Sequence, residues 1–300
     1  MKKILCAVLI FVLCICQCAF AFSDMPDDTV LRPALENAVK NGLLSGYDGK
    51  IMPNDPLTRG QMAAIMSRAL GASKKADISS YVDVKENDWF FDDMAKAVYM
   101  GAFKGDGDRL NPEGFITREE AFVVISRIFA ITKGENASLK SLADFSEISS
   151  WAKDSISGMM RDKYIDASGG KIEPKRNMTR AEFAVIMDKI APNYITEEGT
   201  YESLPDTNVI IKAKNVVLKG IKTDKNIIIA DGVGGDGIKM TDMDVSGSIV
   251  VRGGGKKVYM RGNFNEINIA VSNLDVDAMD SSIESVNIAK DSNIYIGSKQ

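Results

Sequence analysis

Residues Pro53 to Gln61 read PNDPLTRGQ, and the same frame returns as PEGFITREE from Pro112 to Glu120 and as PKRNMTRAE from Pro174 to Glu182. In each copy a proline lies five residues before a threonine, an apolar residue precedes the threonine, and an arginine follows it. The period is about 60 residues, enough for two helices and a connecting loop, so the first two thirds of the chain read as three stacked units. Each copy follows an aromatic-led segment: Phe22-Ser-Asp24, Tyr81-Val-Asp83 and Phe145-Ser-Glu147.

Capping chemistry accounts for most of the motif. Thr58 with Gln61, Thr117 with Glu120 and Thr179 with Glu182 fit the capping box, in which threonine and acid or amide satisfy two orphaned backbone donors reciprocally. Leu57 with Met62, and Met178 with Phe183, have the spacing of a hydrophobic staple. Capping does not account for Arg59, Arg118 and Arg180, because a cation in the first helical turn opposes the macrodipole at a cost of a few tenths of a kcal/mol or about that. Two explanations stand open from spacing alone. One is an ion pair with a neighbouring repeat's carboxylate; the other is an anion held by the guanidinium fork beside free helix N–H groups.

These residues, from about Phe22 to Tyr194, resemble three S-layer homology repeats. The family frame has an aromatic-x-Asp start, a tryptophan opening the first helix, a Gly-x-x-x-Gly turn and a Thr-Arg-Ala-Glu start to the second helix. The second repeat carries Tyr81, Asp83, Trp89, Gly101, Gly105, Pro112 and Thr117-Arg118-Glu119-Glu120. The first carries Phe22, Asp24, Gly42 and Gly46, with Val30 at the tryptophan position. The third carries Phe145, Trp151 and Thr179-Arg180-Ala181-Glu182, with Glu147 for the acid and Lys163 and Ala167 for the two glycines. The resemblance implies a mostly helical, pseudo-threefold module that anchors secreted proteins to the bacterial wall. It implies binding of anionic secondary cell-wall polysaccharide, often pyruvylated, in grooves between repeats. Carried over residue by residue, the binding positions are Arg59, Arg118, Arg180, Asp24, Asp83, Trp89, Gly46 and Gly105, and the departures of the third repeat single out its groove as the degenerate one.

Export is expected from the N-terminus as well. Lys2 and Lys3 precede an apolar run from Ile4 to about Ala19, and Ala19-Phe20-Ala21 supplies an A-x-A cleavage site. The run is short for a spanning helix, and no later stretch approaches one, so no membrane association is expected after cleavage. All four cysteines (Cys6, Cys14, Cys16 and Cys18) lie in that segment and the chain has no histidine. The mature chain is thus expected to have no disulfide, and Ser-His-Asp catalysis, Cys-His catalysis and the usual zinc sites are excluded. Carboxylates remain as acid–base groups, and the expectation is a protein that is not an enzyme and uses no cofactor or metal. The acidic loops Asp106-Gly-Asp108 and Asp231 to Asp236 lack the ligand run of a calcium loop and read as turns.

The formal net charge is −4. Without a Lys/Arg-rich run this argues against nucleic acid, and an anionic polymer would have to be gripped by local arginines rather than by the whole field. Ala63, Ile65, Met66, Ala69 and Leu70 keep helical spacing, as do Ala121, Val124, Ile125, Ile128 and Phe129, and these read as core. Trp89 and Trp151 are expected to pack between repeats, with presentation of a ring face to sugar as the alternative.

After Pro192 the pattern changes to short Val/Ile-rich runs: 209–211, 216–218, 227–229, 249–251, 258–260, 267–269 and 294–296. Punctuated by Gly, Asn and Asp, these are strands, and triplets with recurring Asn208, Asn226 and Asn268 favour a β-solenoid of four or five coils over a β-sandwich. The expected fold is therefore α+β and multidomain: a signal peptide over 1–21, repeats over 22–80, 81–140 and 141–197, and a β-rich domain over 198–300. The expected function is noncatalytic anchoring to cell-wall polysaccharide with display of the β-domain at the cell surface. The alternatives are a wall-tethered polysaccharide lyase or hydrolase using Asp231, Asp236, Asp242 or Asp244, and a self-associating surface-layer subunit.

Overall fold

The computed structural model describes residues 22–167, 169–288 and 292–297. The leader and its cysteines lie outside the described residues. Six α-helices come first: α1 (Leu31–Lys40), α2 (Arg59–Ala69), α3 (Phe91–Tyr99), α4 (Arg118–Ile128), α5 (Lys153–Arg161) and α6 (Arg180–Ile190). Helices α2, α4 and α6 begin at the repeated motif, and all three capping boxes form, with each threonine accepting from the backbone of the third helical residue.

The three motifs meet around a pseudo-threefold axis. Leu57 N–H donates to Met178 O, Met178 N–H to Ile116 O and Ile116 N–H to Leu57 O, each at 2.9 Å. These are the apolar residues preceding the motif threonines, and all three are fully buried. Repeat one closes onto repeat three, where Asn37 Nδ2 donates to Asp188 Oδ1 at 2.7 Å.

The first repeat's acid pins its loop: Asp24 accepts from Ile51 N and Met52 N at 2.7 and 2.8 Å. Asp83 does the same for Leu110 N and Asn111 N at 2.9 and 2.7 Å. In the third repeat the residue in this role is Asp144, which accepts from Ile172 N and Glu173 N. The third frame is therefore Leu142-Ala-Asp144, three residues before the expected Phe145-Ser-Glu147; Glu147 ends a 3-10 turn instead. The third repeat keeps its acid and lacks only the aromatic ring.

Eleven strands follow among the described residues: β1 (Asn193–Ile195), β2 (Gly199–Tyr201), β3 (Val209–Ile211), β4 (Val216–Lys219), β5 (Lys222–Thr223), β6 (Ile227–Ile229), β7 (Ile238–Val251), β8 (Val258–Ile269), β9 (Asp275–Met279), β10 (Ser282–Ile288) and β11 (Asn293–Gly297). Every pairing is parallel, and Asn193, Val209, Ile227, Ile249, Ile267 and Val286 align in one column. This is a β-solenoid of about five turns, and all seven apolar runs are strands in it.

The apolar triplets have a physical cause. On one face of the solenoid the outward middle residues Ile210, Ile228 and Val250 are as buried as their inward neighbours. Strands covered on both sides lose alternation. Helix ends supply the cover: Phe129, Ile131 and Ile190 line one small cleft with Ile228 and Val250. Farther along the column the middle position becomes Asn268 and then Asn287. On another face alternation survives, with Lys239 and Tyr259 exposed between buried neighbours.

The solenoid caps the helices it covers. Arg252 donates to Ile128 O at the end of α4 (2.9 Å) and to Met100 O at the end of α3 (3.1 Å), while its Nε meets Asp231 Oδ2 at 2.6 Å. Lys212 reaches Arg68 O near the end of α2 at 2.8 Å, and Asn208 reaches Ile190 O on α6 at 2.7 Å. Donors, two of them cationic, thus meet carbonyls that have no partner within their own helices, at the negative ends of the macrodipoles. Gly232 N donates to Leu70 O at 2.9 Å, and a Cβ on Gly232 would lie 2.0 Å from Gly71 O, so the backbones touch here and only glycine fits.

Arg252→Ala should lower stability by about 3–5 kcal/mol, because it strands the Asp231 carboxylate and two helix ends in the interface. Urea unfolding checks this, with Lys256→Ala, which removes an exposed pair with Asp236, expected within about 0.5 kcal/mol of the parent.

Candidate functional site

Each motif arginine crosses into another repeat. Arg59 Nε donates to Leu110 O, Arg118 Nε to Ile172 O and Arg180 Nε to Ile51 O, all at 2.8 Å. These carbonyls belong to the loop segments whose amides the acids Asp83, Asp144 and Asp24 hold. Arg59 Nη1 also pairs with Glu120 Oε1 at 3.1 Å, and Arg118 Nη1 with Glu182 Oε1 at 2.6 Å. Burial pulls the pKa of all three guanidiniums below its ordinary value, and Glu120 and Glu182 oppose that for the first two. The cation disfavoured at a helix start is thus offset by carbonyls of the adjoining repeat and, in two copies, by its capping glutamate.

The helix N–H groups are not free for an anion. Arg59 N and Gly60 N donate to Gly114 O and Pro112 O, Arg118 N and Glu119 N to Arg176 O and Pro174 O, and Arg180 N and Ala181 N to Asp55 O and Pro53 O. The motif threonine takes the third amide in each helix. An approaching anion therefore meets side chains and not a helix N-terminus.

Gly46 and Gly105 serve the aromatic residues. A Cβ on Gly46 would lie 2.1 Å from the Phe22 ring, and one on Gly105 would lie 2.4 Å from the Tyr81 ring. The third repeat has Leu142 in place of a ring, and Ala167 fits there. The two departures compensate one another, so the glycine turn of that repeat is altered without being lost. Lys163 even keeps the left-handed backbone of Gly42 and Gly101, with φ of 60° against 71° and 73°.

Around Arg59 lies an open groove of about 590 Å³ between the first and second repeats, which Trp151 of the third also lines. Lys104, Arg109 and Arg127 join Arg59 there, facing Asp106 and Glu120, so cations outnumber acids by four to two. Arg59 Cζ sits 5.2 Å from the centroid of the Phe103 ring. Trp89 and Trp151 are 63% and 54% exposed, so the expected packing between repeats does not occur and ring surface is open to solvent. Of the expected site residues, Arg59 and Gly105 line this groove; Asp83 and Asp24 hold loop amides, and Trp89, Arg118 and Arg180 lie elsewhere on the ring. Lys104, Arg109 and Arg127 were not legible as site residues, since nothing in their spacing marks which side of a repeat faces a neighbour; at Trp151 the alternative reading, a ring open to solvent, is the one observed. Asp144 stands 30 residues before Pro174, one more than the 29 that separate Asp24 from Pro53 and Asp83 from Pro112, so counting back reaches Phe145 and only the neighbourhood of the acid was legible.

A family model for the S-layer homology domain matches residues 21–63, 80–122 and 141–184. The chain carries three S-layer homology domains followed by a β-solenoid. It is 29% identical over 168 residues to the surface-layer 125 kDa protein of Lysinibacillus sphaericus, covering 54% of this chain and 14% of that protein. It is 26% identical over 243 residues to S-layer protein EA1 of Bacillus anthracis, covering 79% and 28%. An amylopullulanase of Thermoanaerobacterium thermosulfurigenes is 28% identical over 171 residues, covering 55% of this chain and 9% of the enzyme. The chain therefore spans less than a third of the length of these relatives. The domains and the surface-layer relatives mark a secreted protein of the cell surface with a wall-anchoring role, and no helix among the described residues is long and apolar enough to cross a membrane.

Gly105→Ala should destabilise by about 1–3 kcal/mol through overpacking against Tyr81, and adding Tyr81→Leu should recover part of the loss. Thermal unfolding of the two single variants and the double variant measures that coupling.

Proposed function

We propose that this chain is a noncatalytic anchor that grips an anionic wall polysaccharide, of the kind bearing ketal-linked pyruvate, in the clefts between repeats. The groove at Arg59 carries the reading. It concentrates four cations in a protein of net charge −4, beside an exposed tryptophan face. A guanidinium fork suits a carboxylate, and an aromatic face suits the apolar side of a sugar ring. The acids Asp24 and Asp83 and the glycines Gly46 and Gly105 act behind the surface, holding the loop that presents Leu110 and Ile51 to the arginines. The solenoid, held by Arg252, Lys212 and Asn208 against four helix ends, is carried as a rigid extension of the anchor.

A noncatalytic role is supported by the fate of the solenoid carboxylates. Asp231 pairs with Arg252, Asp236 with Lys256 and Asp244 with Lys222. Three of the four candidate carboxylates thus face a cation, and Asp242 sits in a left-handed turn of the backbone.

The test is cosedimentation with purified walls, before and after chemical removal of their anionic polysaccharide. The double variant Lys104→Ala/Arg109→Ala should bind unmodified walls about tenfold more weakly, and Lys219→Ala, on the solenoid, should bind as the parent does. Equal sedimentation of the parent protein with stripped walls would rule the reading out. Arg59→Ala is a poorer probe, because its Nε also holds the Leu110 carbonyl.

A further inference from the structure

The three inter-repeat clefts differ in the capping residue that meets the crossing arginine. In the second and third motifs the capping glutamate divides its work: one oxygen accepts from the threonine backbone (Glu120 Oε2 from Thr117 N at 2.9 Å, Glu182 Oε2 from Thr179 N at 3.0 Å), and the other pairs with the Nη1 of the arginine crossing from the neighbouring repeat. In the first motif the capping residue is Gln61. Its Oε1 is committed to the cap, accepting from Thr58 N at 3.0 Å. What remains at the position of the second oxygen is Nε2, a donor.

The arginine crossing to this motif is Arg180. Its Nε and Nη2 are engaged by Ile51 O and Ser45 O at 2.8 and 2.7 Å. Its Nη1, the atom that meets glutamate in the other two clefts, has no acceptor among the described residues, and no carboxylate lies within ion-pairing distance of the guanidinium. Nη1 and Gln61 Nε2 both remain accessible to solvent. The surrounding loop departs in the same sense. Counted from the turn glycines, Ser45 replaces Lys104, and Tyr47, 79% exposed, replaces Asp106. Relative to the Arg59 cleft, the cleft between the third and first repeats has exchanged two acids and a lysine for an amide, an aromatic ring and a serine.

We infer that the cleft between the third and first repeats is this protein's selective site for a carboxylated sugar, with the ligand carboxylate accepting from both Arg180 Nη1 and Gln61 Nε2, and that Gln61 is the residue that confers the selectivity. The inference rests on the anchoring reading above and assigns its acid-specific step to one cleft. In the other two clefts an incoming carboxylate must displace Glu120 or Glu182, and Glu182 is further held by Arg176. At Gln61 the site presents two donors, and the nearby acids Asp55 and Asp24 act on Arg180 only through space, without an ion pair among the described residues. The third repeat, whose groove the sequence departures single out as degenerate, thereby supplies the arginine most available to a ligand. Those departures lie on the other side of the repeat, facing Arg118.

The test exchanges one atom. Gln61→Glu preserves the capping box, as the second and third motifs do, and supplies the missing partner for Arg180. Isothermal titration uses a methyl glycoside carrying a 4,6-linked pyruvate ketal, with the same glycoside lacking the ketal as control. Gln61→Glu should bind the ketal probe at least about tenfold more weakly than the parent while its melting temperature holds or rises. Glu120→Gln, which frees Arg59, should bind it more tightly or at an added site. Equal probe affinity of Gln61→Glu and parent overturns the inference, and so does a preference of the parent for the glycoside without the ketal. If the parent protein also fails to distinguish intact from stripped walls, the anchoring reading falls with it; if that distinction survives, only the assignment to this cleft is lost.

Discussion

The helical module depends on a handover of backbone hydrogen bonds between repeats. A helix start leaves donors that its own turn cannot satisfy. Here the capping threonine takes one, and the first two amides of α2, α4 and α6 donate to loop carbonyls of another repeat. Because every repeat both gives and receives, the set closes only as a ring of three. The triangle of bonds joining Leu57, Ile116 and Met178 is its centre. A unit taken alone would expose these donors and the buried apolar residues at the centre of the triangle.

The motif arginine is a consequence of that closure. Once helix amides are turned into the adjoining loop, the first side chain of the helix lies beside the next carbonyl of the same loop, and a long donor can reach it. Arginine has donors to spare, so after Nε is fixed its Nη atoms remain for a second partner. That partner is Glu120 for Arg59 and Glu182 for Arg118, while Gln61 denies one to Arg180. One guanidinium can thus hold a structural carbonyl through Nε and leave an Nη atom for a carboxylate, so the two explanations left open by the motif's spacing are compatible.

The solenoid is joined to this ring by the opposite ends of the same helices. Carbonyls at the ends of α2, α3, α4 and α6 receive Lys212, Arg252 and Asn208, and the apolar triplets of β3, β6 and β7 lie beneath them. Both ends of α2, α4 and α6 are accordingly satisfied by other parts of the fold: the N-termini by the neighbouring repeat, the C-termini by the solenoid. Short helices of nine to eleven residues draw little stability from propensity, and such partners supply what they lack.

Local chemistry was legible in the sequence. The three capping boxes, the apolar helix faces and all seven strand triplets follow from nearest-neighbour spacing, because caps and alternation act within a few residues. Register against a missing landmark was not: with Leu142 in the aromatic position, Phe145 drew the third frame three residues late. The exposure of Trp89 and Trp151 and the occupation of the helix amides were also out of reach, since each depends on which surface of one repeat another covers. The sequence by itself determined three capped helix starts bearing arginine, followed by a stack of parallel strands. Only the tertiary structure decided what each guanidinium meets, because its partners are contributed by residues 51 to 135 positions away, brought together when the ring closes.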